Sequence, residues 1–277
     1  MPCLSLRVFW TVLAIFSTLA CCRLASAREV IRINGTGSGL VVAKPLIAFF
    51  QKANRGVSFQ MEKSLGSAAA IKALANDALD ITVAGRALKP HEMSEKLAWY
   101  EYGRIPYAVV TNRQTQMENI ASSELAGMYS GRVATWPNGD FVRVILRPRE
   151  DIDTKMLRAL SPEMDRAVTA AHARKDMLLG ITDQESFEYL KKTEGEVGFV
   201  PLAMPLSEPG SANVSRFDGV APTLSNLAAG RYPYAKSIVV VTKKETSPGV
   251  RKFVQFINSK KGRAIAVNSG LLPSVTK

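Results

Sequence analysis

Between Val30 and Ala84 the apolar pattern alternates between the period of a strand and the period of a helix, and this alternation constrains the fold more than any other feature of the chain. Val30 to Asn34 is a short strand, and Ala43 to Ala53 carries Leu46, Phe49 and Phe50 at helical spacing. Pro45 is tolerable only in a first helical turn, so the helix is expected to begin near Ala43. Val57, Phe59 and Met61 alternate along a second strand. Ala68 to Leu79 follows as an Ala-rich helix with Ile71, Leu74 and Ala75 on one face, and Asp80 to Ala84 is a third strand. A β-α-β-α-β run of this kind builds a parallel open sheet, whose ligands sit beyond the carboxyl ends of its strands.

Two polar loops fall at that edge together. The first, Gly35-Thr36-Gly37-Ser38-Gly39, brings backbone N–H groups and two hydroxyls to one point, and a helix starting there adds its unpaired amides and positive dipole end. Its G-x-G-x-G spacing is neither the dinucleotide fingerprint nor a phosphate-binding P-loop, because the Gly-Lys-Ser/Thr end is missing. A plain strand-to-helix turn is the alternative reading. The second loop, Lys63-Ser64-Leu65-Gly66-Ser67, weighs toward an anion site.

Residues 1–27 read as a leader. Arg7 supplies the positive start, Val8 to Ala20 the apolar run, and Ala25-Ser26-Ala27 a small-x-small cleavage site, so the mature protein is expected to be exported and to begin at Arg28. Cys21 and Cys22 raise lipid attachment as the alternative, but Thr18 stands where such signals usually carry Leu. Cys3, Cys21 and Cys22 are all the cysteines there are, so cleavage excludes disulfides and thiol chemistry. His91 and His172 are far apart and lack companions at metal-ligand spacing, so no metal site, no cofactor and no Ser-His-Asp triad is expected. The formal net charge of +12, two units lower without Arg7 and Arg23, favours anionic partners. The basic residues are scattered without an interleaved aromatic stripe, which argues against nucleic acid.

The rest of the chain repeats α/β patterning. Residues 102–112 form a long apolar strand, Ser122 to Tyr129 a short helix and Val142 to Leu146 a strand, with a polar loop from Arg147 to Thr154. Ser161-Pro162-Glu163 is a helix start, Thr182 and Glu185 fit a capping box, and Val197 to Leu202 is a strand. Ser237 to Thr242 is a strand, and after Ser247-Pro248 the residues Val250, Phe253, Val254 and Ile257 line one helix face. The chain leaves its first domain near residue 110 and returns near 237. The expected organisation is thus a leader (1–27), a discontinuous first lobe (28–110 and 237–277), a second lobe (111–236) and a two-strand hinge.

This organisation resembles the type II periplasmic binding protein fold. The strings TGSG, SLGSAAAIKAL, DITVAGRALKPHE and GLLPSV, in this order and spacing over essentially the whole mature chain, are similar to the phosphate-binding receptors of ABC transporters. The resemblance implies an oxyanion held between two closing lobes by loop amides, hydroxyls and an arginine. Carried onto this sequence, the ligand-binding set is Thr36, Gly37, Ser38, Ser64, Gly66, Ser67, Arg147 and Thr154, with Arg86 at the end of the third strand, where some members carry an acidic ligand. Asp151 and Asp153 depart from the family pattern, standing where anion-binding groups are expected. Asp151 is expected either to face the ligand, accepting a hydrogen bond from the proton that phosphate carries and sulfate lacks, or only to cap the helix alongside Asp153. Asp153 is expected to be a plain helix N-cap.

The function so implied is an exported monomeric receptor that captures inorganic phosphate or a related oxyanion and delivers it to an inner-membrane ABC permease. A sensory or adhesive protein of the same fold is the alternative. An exported phosphoesterase is the poorer one, since nothing in the sequence builds an activated nucleophile or a metal-bound water.

Overall fold

The computed structural model describes residues 28–175 and 177–274, and the leader expected at 1–27 lies outside the described residues. The first lobe opens with β1 (Glu29–Gly35), α1 (Gly37–Ala53), β2 (Val57–Met61), α2 (Gly66–Ala75) and β3 (Ile81–Ala84), in which β1 pairs in parallel with both β2 and β3. This is the alternation read from the sequence, with one correction. Helix α1 starts at Gly37 and not near Ala43, so the loop glycines form its first turn and Pro45 lies in its interior. Proline removes a donor there. Pro45 is on the exposed face, where water can serve the carbonyl left without a partner.

Strand β4 (Leu97–Asn112) is longer than expected and runs through both lobes. Its first part, Leu97 to Pro106, pairs antiparallel with β10 (Ala235–Lys243), and its last part, from Tyr107 on, pairs with the second lobe. Between β4 and β10 the chain contains in order β5 (Asn119–Ile120), α3 (Ser122–Ser130), β6 (Arg143–Val144), α4 (Ile152–Arg158), α5 (Pro162–Ala173), α6 (Asp183–Lys192), β7 (Glu196–Pro201), α7 (Ala203–Ser207), β8 (Ala212–Val214), β9 (Arg216–Phe217) and α8 (Leu224–Ala228). The strand expected over Val142 to Leu146 is reduced to β6 and a single bridge from Leu146 to Leu179. After β10 the chain closes with α9 (Pro248–Asn258), α10 (Lys260–Asn268) and β11 (Leu272–Pro273). The strand order is β2-β1-β3-β10-β4-β7-β6.

Two cores form, and the first joins α1, β1 and α9 to Phe187 and Leu190 of α6 and to Ala203 and Met204 of α7. Phe253 of α9 packs on Phe50 of α1 and Phe59 of β2, at ring-centroid distances of 5.3 and 4.7 Å. In the second lobe Tyr107, Leu125, Tyr129, Met164, Val197 and Phe199 form a separate cluster. Side chains alternate across a strand, so β4 sends Tyr107 and Val109 into this cluster and Ala108 and Val110 into the other. Among the described residues no helix is long and apolar enough to cross a membrane.

Candidate oxyanion site

Gly35 ends β1 against β3, where Thr36 N–H donates to the Val83 carbonyl at 2.8 Å. Thr36 then occupies the N-cap of α1, but its hydroxyl does not cap the helix. It donates instead to Oδ2 of Asp183 at 3.0 Å, and the Ser38 N–H donates to the same oxygen at 2.7 Å. The first loop therefore does hold an oxyanion, and that oxyanion is a carboxylate from the other lobe. Asp183 is the first residue of α6, so the N-termini of α1 and α6 face each other across the cleft. The contact is close: a Cβ on Gly37 would collide with Asp183 and Gln184, and Gln184 Nε2 donates to the Gly37 carbonyl at 3.2 Å.

Two cations share the Asp183 carboxylate. Lys236, on β10 beside the point where β4 changes partners, is 1% exposed, and its Nζ lies 3.1 Å from Asp183 Oδ1 and 2.9 Å from Asp153 Oδ1. Arg147 places Nη2 3.5 Å from Asp183 Oδ1 and 3.2 Å from Asp151 Oδ2, with Nε 3.4 Å from Asp153 Oδ2. Its Nη1 donates to the Gly180 carbonyl at 2.9 Å. Gly85 makes room for the lysine, since a Cβ there would stand 2.5 Å from Lys236 Cε. At the end of β3 this chain thus has a gap through which a cation reaches.

The electrostatics follow from burial and from these pairs. Burial would raise the Asp183 carboxyl, but Lys236 and Arg147 outweigh it and hold the group far below the ordinary carboxylate range. Asp153 goes the other way. Burial, with Asp183 and Asp151 nearby, pushes it up to about 7 against the pull of Lys236 and Arg147. Burial lowers Lys236 and Arg147, but the aspartates more than restore them, so both stay charged. With Asp153 protonated, two cations face Asp183 and Asp151 and the cluster is balanced. The Ser38 hydroxyl is fully buried and has no hydrogen-bond partner, and Arg147 Nε meets only Asp153 Oδ2, in an ion pair of 3.4 Å. A carboxylate has two oxygens; an anion with four could serve these donors as well.

The other residues expected at the site fall outside it or serve its frame. Ser64 Oγ donates to the Gly35 carbonyl at 2.7 Å and accepts from Gly66 N–H at 3.2 Å, while Ser67 Oγ accepts from Gly85 N–H at 2.9 Å. The second loop thus buttresses the first. Arg86 is committed to Glu92 through two hydrogen bonds of 2.6 Å. Thr154 spends its hydroxyl on the carbonyls of Arg147 and Pro148. Of the two aspartates, Asp151 is the N-cap, as its second reading has it, accepting from Asp153 N–H at 2.8 Å, and Asp153 is not a cap but the buried member of the cluster. An N-cap needs extended backbone, which Asp151 has (φ −66°, ψ 148°) and a residue already in the first helical turn lacks.

Sequence reasoning missed Asp183 and Lys236. Lys236 left a signal, because it lies in phase with Ile238 and Val240 on a strand face that is buried. Asp183 left none, since an acid in the first turn of a capped helix is ordinary dipole chemistry. Among the described residues no group of three or more metal-ligating side chains is assembled.

Two α/β lobes joined by paired strands, with facing helix N-termini in the cleft between them, define a two-lobed binding protein. Residues 24–261 match the family model of the PBP superfamily domain, and the chain belongs to that superfamily. It is similar to the phosphate-binding protein PstS of Bacillus subtilis (strain 168), 23% identical over 186 residues that make up 65% of this chain and 59% of that protein. The chain therefore spans about three fifths of the length of this curated relative. Among solved structures, one from Clostridium perfringens is named as a phosphate ABC transporter substrate-binding protein with bound phosphate. It shares 19% identity at a TM-score of 0.73, covering 89% of this chain and 100% of its own. An ABC-type phosphate transport receptor from Vibrio cholerae shares 18% identity at a TM-score of 0.59, covering 87% of this chain and 99% of its own. At these identities the likeness establishes the fold.

Proposed function

We propose that the protein is an exported receptor that captures phosphate, or a closely related oxyanion, between its lobes and delivers it to an inner-membrane ABC permease. The observation that carries this reading is the Thr36–Ser38 loop, whose amide and hydroxyl converge on a carboxylate between two cations. A further donor there, the buried Ser38 hydroxyl, has no hydrogen-bond partner, and an anion with four oxygens could supply one. The relatives matched are named as phosphate-binding proteins and transport receptors, and no enzyme activity is proposed. Export rests on the leader read at residues 1–27, and the protein acts as a monomer in the periplasm.

Equilibrium dialysis of the purified protein against labelled phosphate tests the reading. Saturable binding that excess sulfate competes for weakly is expected. Absence of binding at millimolar phosphate overturns it. The transport role is tested separately by phosphate uptake in cells lacking the gene, which should fall.

A further inference from the structure

Binding proteins of two lobes are closed by what they bind, yet here the bond that closes the cleft is made within the chain. The Asp183 carboxylate comes from the second lobe and takes the Ser38 amide and Thr36 hydroxyl of the first, at 2.7 and 3.0 Å. Lys236, from the β10 strand between them, holds it at 3.1 Å. The side chain is shielded from solvent altogether, and Gln184 beside it adds a second bond across the cleft to the Gly37 carbonyl.

We propose that Asp183 is the receptor's internal ligand: its carboxylate closes the lobes by filling the oxyanion loop, and an external oxyanion binds only by displacing it. The identity of that external oxyanion as phosphate rests on the function proposed above. Charge supports the exchange. Asp183 contributes one negative charge to a cluster balanced by Lys236 and Arg147, and a singly charged phosphate arriving as the carboxylate leaves keeps that balance. A phosphate added on top of Asp183 would bring like charges together in a buried site. The Ser38 hydroxyl, buried without a hydrogen-bond partner, favours the anion with more oxygens, so the displacement has a driving force. Asp183 thereby sets the affinity: an internal ligand that occupies the loop nearly all the time lowers apparent affinity by the ratio of filled to free loop.

The test uses the protein without residues 1–27, which carry all its cysteines, so Lys63→Cys after β2 and Glu150→Cys before α4 place spin labels on two exposed positions, one in each half of the chain. Without added anion, the wild-type background should show the short interlabel distance of a closed cleft, and Asp183→Ala should show a longer one that phosphate shortens. Calorimetry should find phosphate bound at least about tenfold more tightly by Asp183→Ala than by wild type. Asp183→Asn keeps the side-chain volume and removes only the charge, and it should shift both readouts the same way if Asp183→Ala does not fold. An anion-free wild type that is as open as the variants overturns the proposal, as does phosphate affinity that is unchanged or weaker in both variants. Closure that depends on Asp183 with phosphate bound by neither protein leaves the internal ligand standing and sinks the phosphate reading instead.

Discussion

Lys236 is the residue on which the cluster turns, since it is the only fully buried cation that touches both Asp153 and Asp183 among the described residues. Taking one member from a buried ion pair leaves its partner uncompensated and costs about 3–5 kcal/mol, so Lys236→Met should lower the unfolding free energy by that amount in urea titrations. Asp153→Asn should cost far less, because its carboxyl, raised to about 7, is already largely protonated below neutral pH. The raised carboxyl also gives a pH dependence. The folded state keeps its proton up to about 7 while the unfolded chain releases it near the ordinary value of about 4, so stability falls as pH rises across that window. Glu196, buried and likewise pushed up to about 7, adds a slope of the same sign. Urea midpoints measured from pH 4 to 8 should decline, with the decline reduced in Asp153→Asn and reduced further when Glu196→Gln is added. Asp183 acts oppositely, its contribution being lost only as the pH drops below about 4.

At the scale of elements, what positions the site is a pair of helix starts. Thr182 caps α6 by accepting from Glu185 N–H at 3.1 Å, and Asp183 is the residue directly after it. Loss of such a cap costs about 1 kcal/mol. Thr182→Ala should therefore lower stability by roughly that amount and loosen the clasp on Ser38, read as faster amide exchange at Ser38 than in wild type. Much of this frame was legible in the sequence. The alternation of periods from Val30 to Ala84 and the caps at Ser161, Thr182 and Ser247 all stand where their residue types put them. The glycines of the first loop misled, because Pro45 argued for a late helix start while the exposed face of α1 tolerates it. The site was legible only in part. Thr36, Gly37 and Ser38 are marked by the loop that carries them and Arg147 by the family resemblance alone, and the structure brings all four to Asp183. The Asp183 to Ser38 bond joins elements far apart in the chain, and only tertiary packing brings them together. Arg86 looked available until Glu92, on the turn at Pro90–Glu92, was seen to neutralise it.

At the scale of the molecule, β4 pairs first with β10 and then with β7, and Lys236 on β10 lies beside that change of partner, next to the Asp183 to Ser38 bond. Removing the guanidinium that spans Asp151, Asp153 and Asp183 should weaken phosphate binding by roughly ten- to a hundredfold, the equivalent of a charge-assisted hydrogen bond worth about 1.5–3 kcal/mol, as Arg147→Ala measured by calorimetry would show. The proposed export with cleavage after Ala27 predicts that N-terminal sequencing begins at Arg28, and a chain starting at a lipid-modified Cys21 would contradict the leader as read. The measurement that bears most directly on the account is a crystal structure of the protein at saturating phosphate. It should place an anion on the Ser38 amide and Thr36 hydroxyl, within reach of Arg147 and Lys236, with the Asp183 carboxylate withdrawn from both. Asp183 still bonded to Ser38 and Thr36, with phosphate bound elsewhere or nowhere, would contradict it.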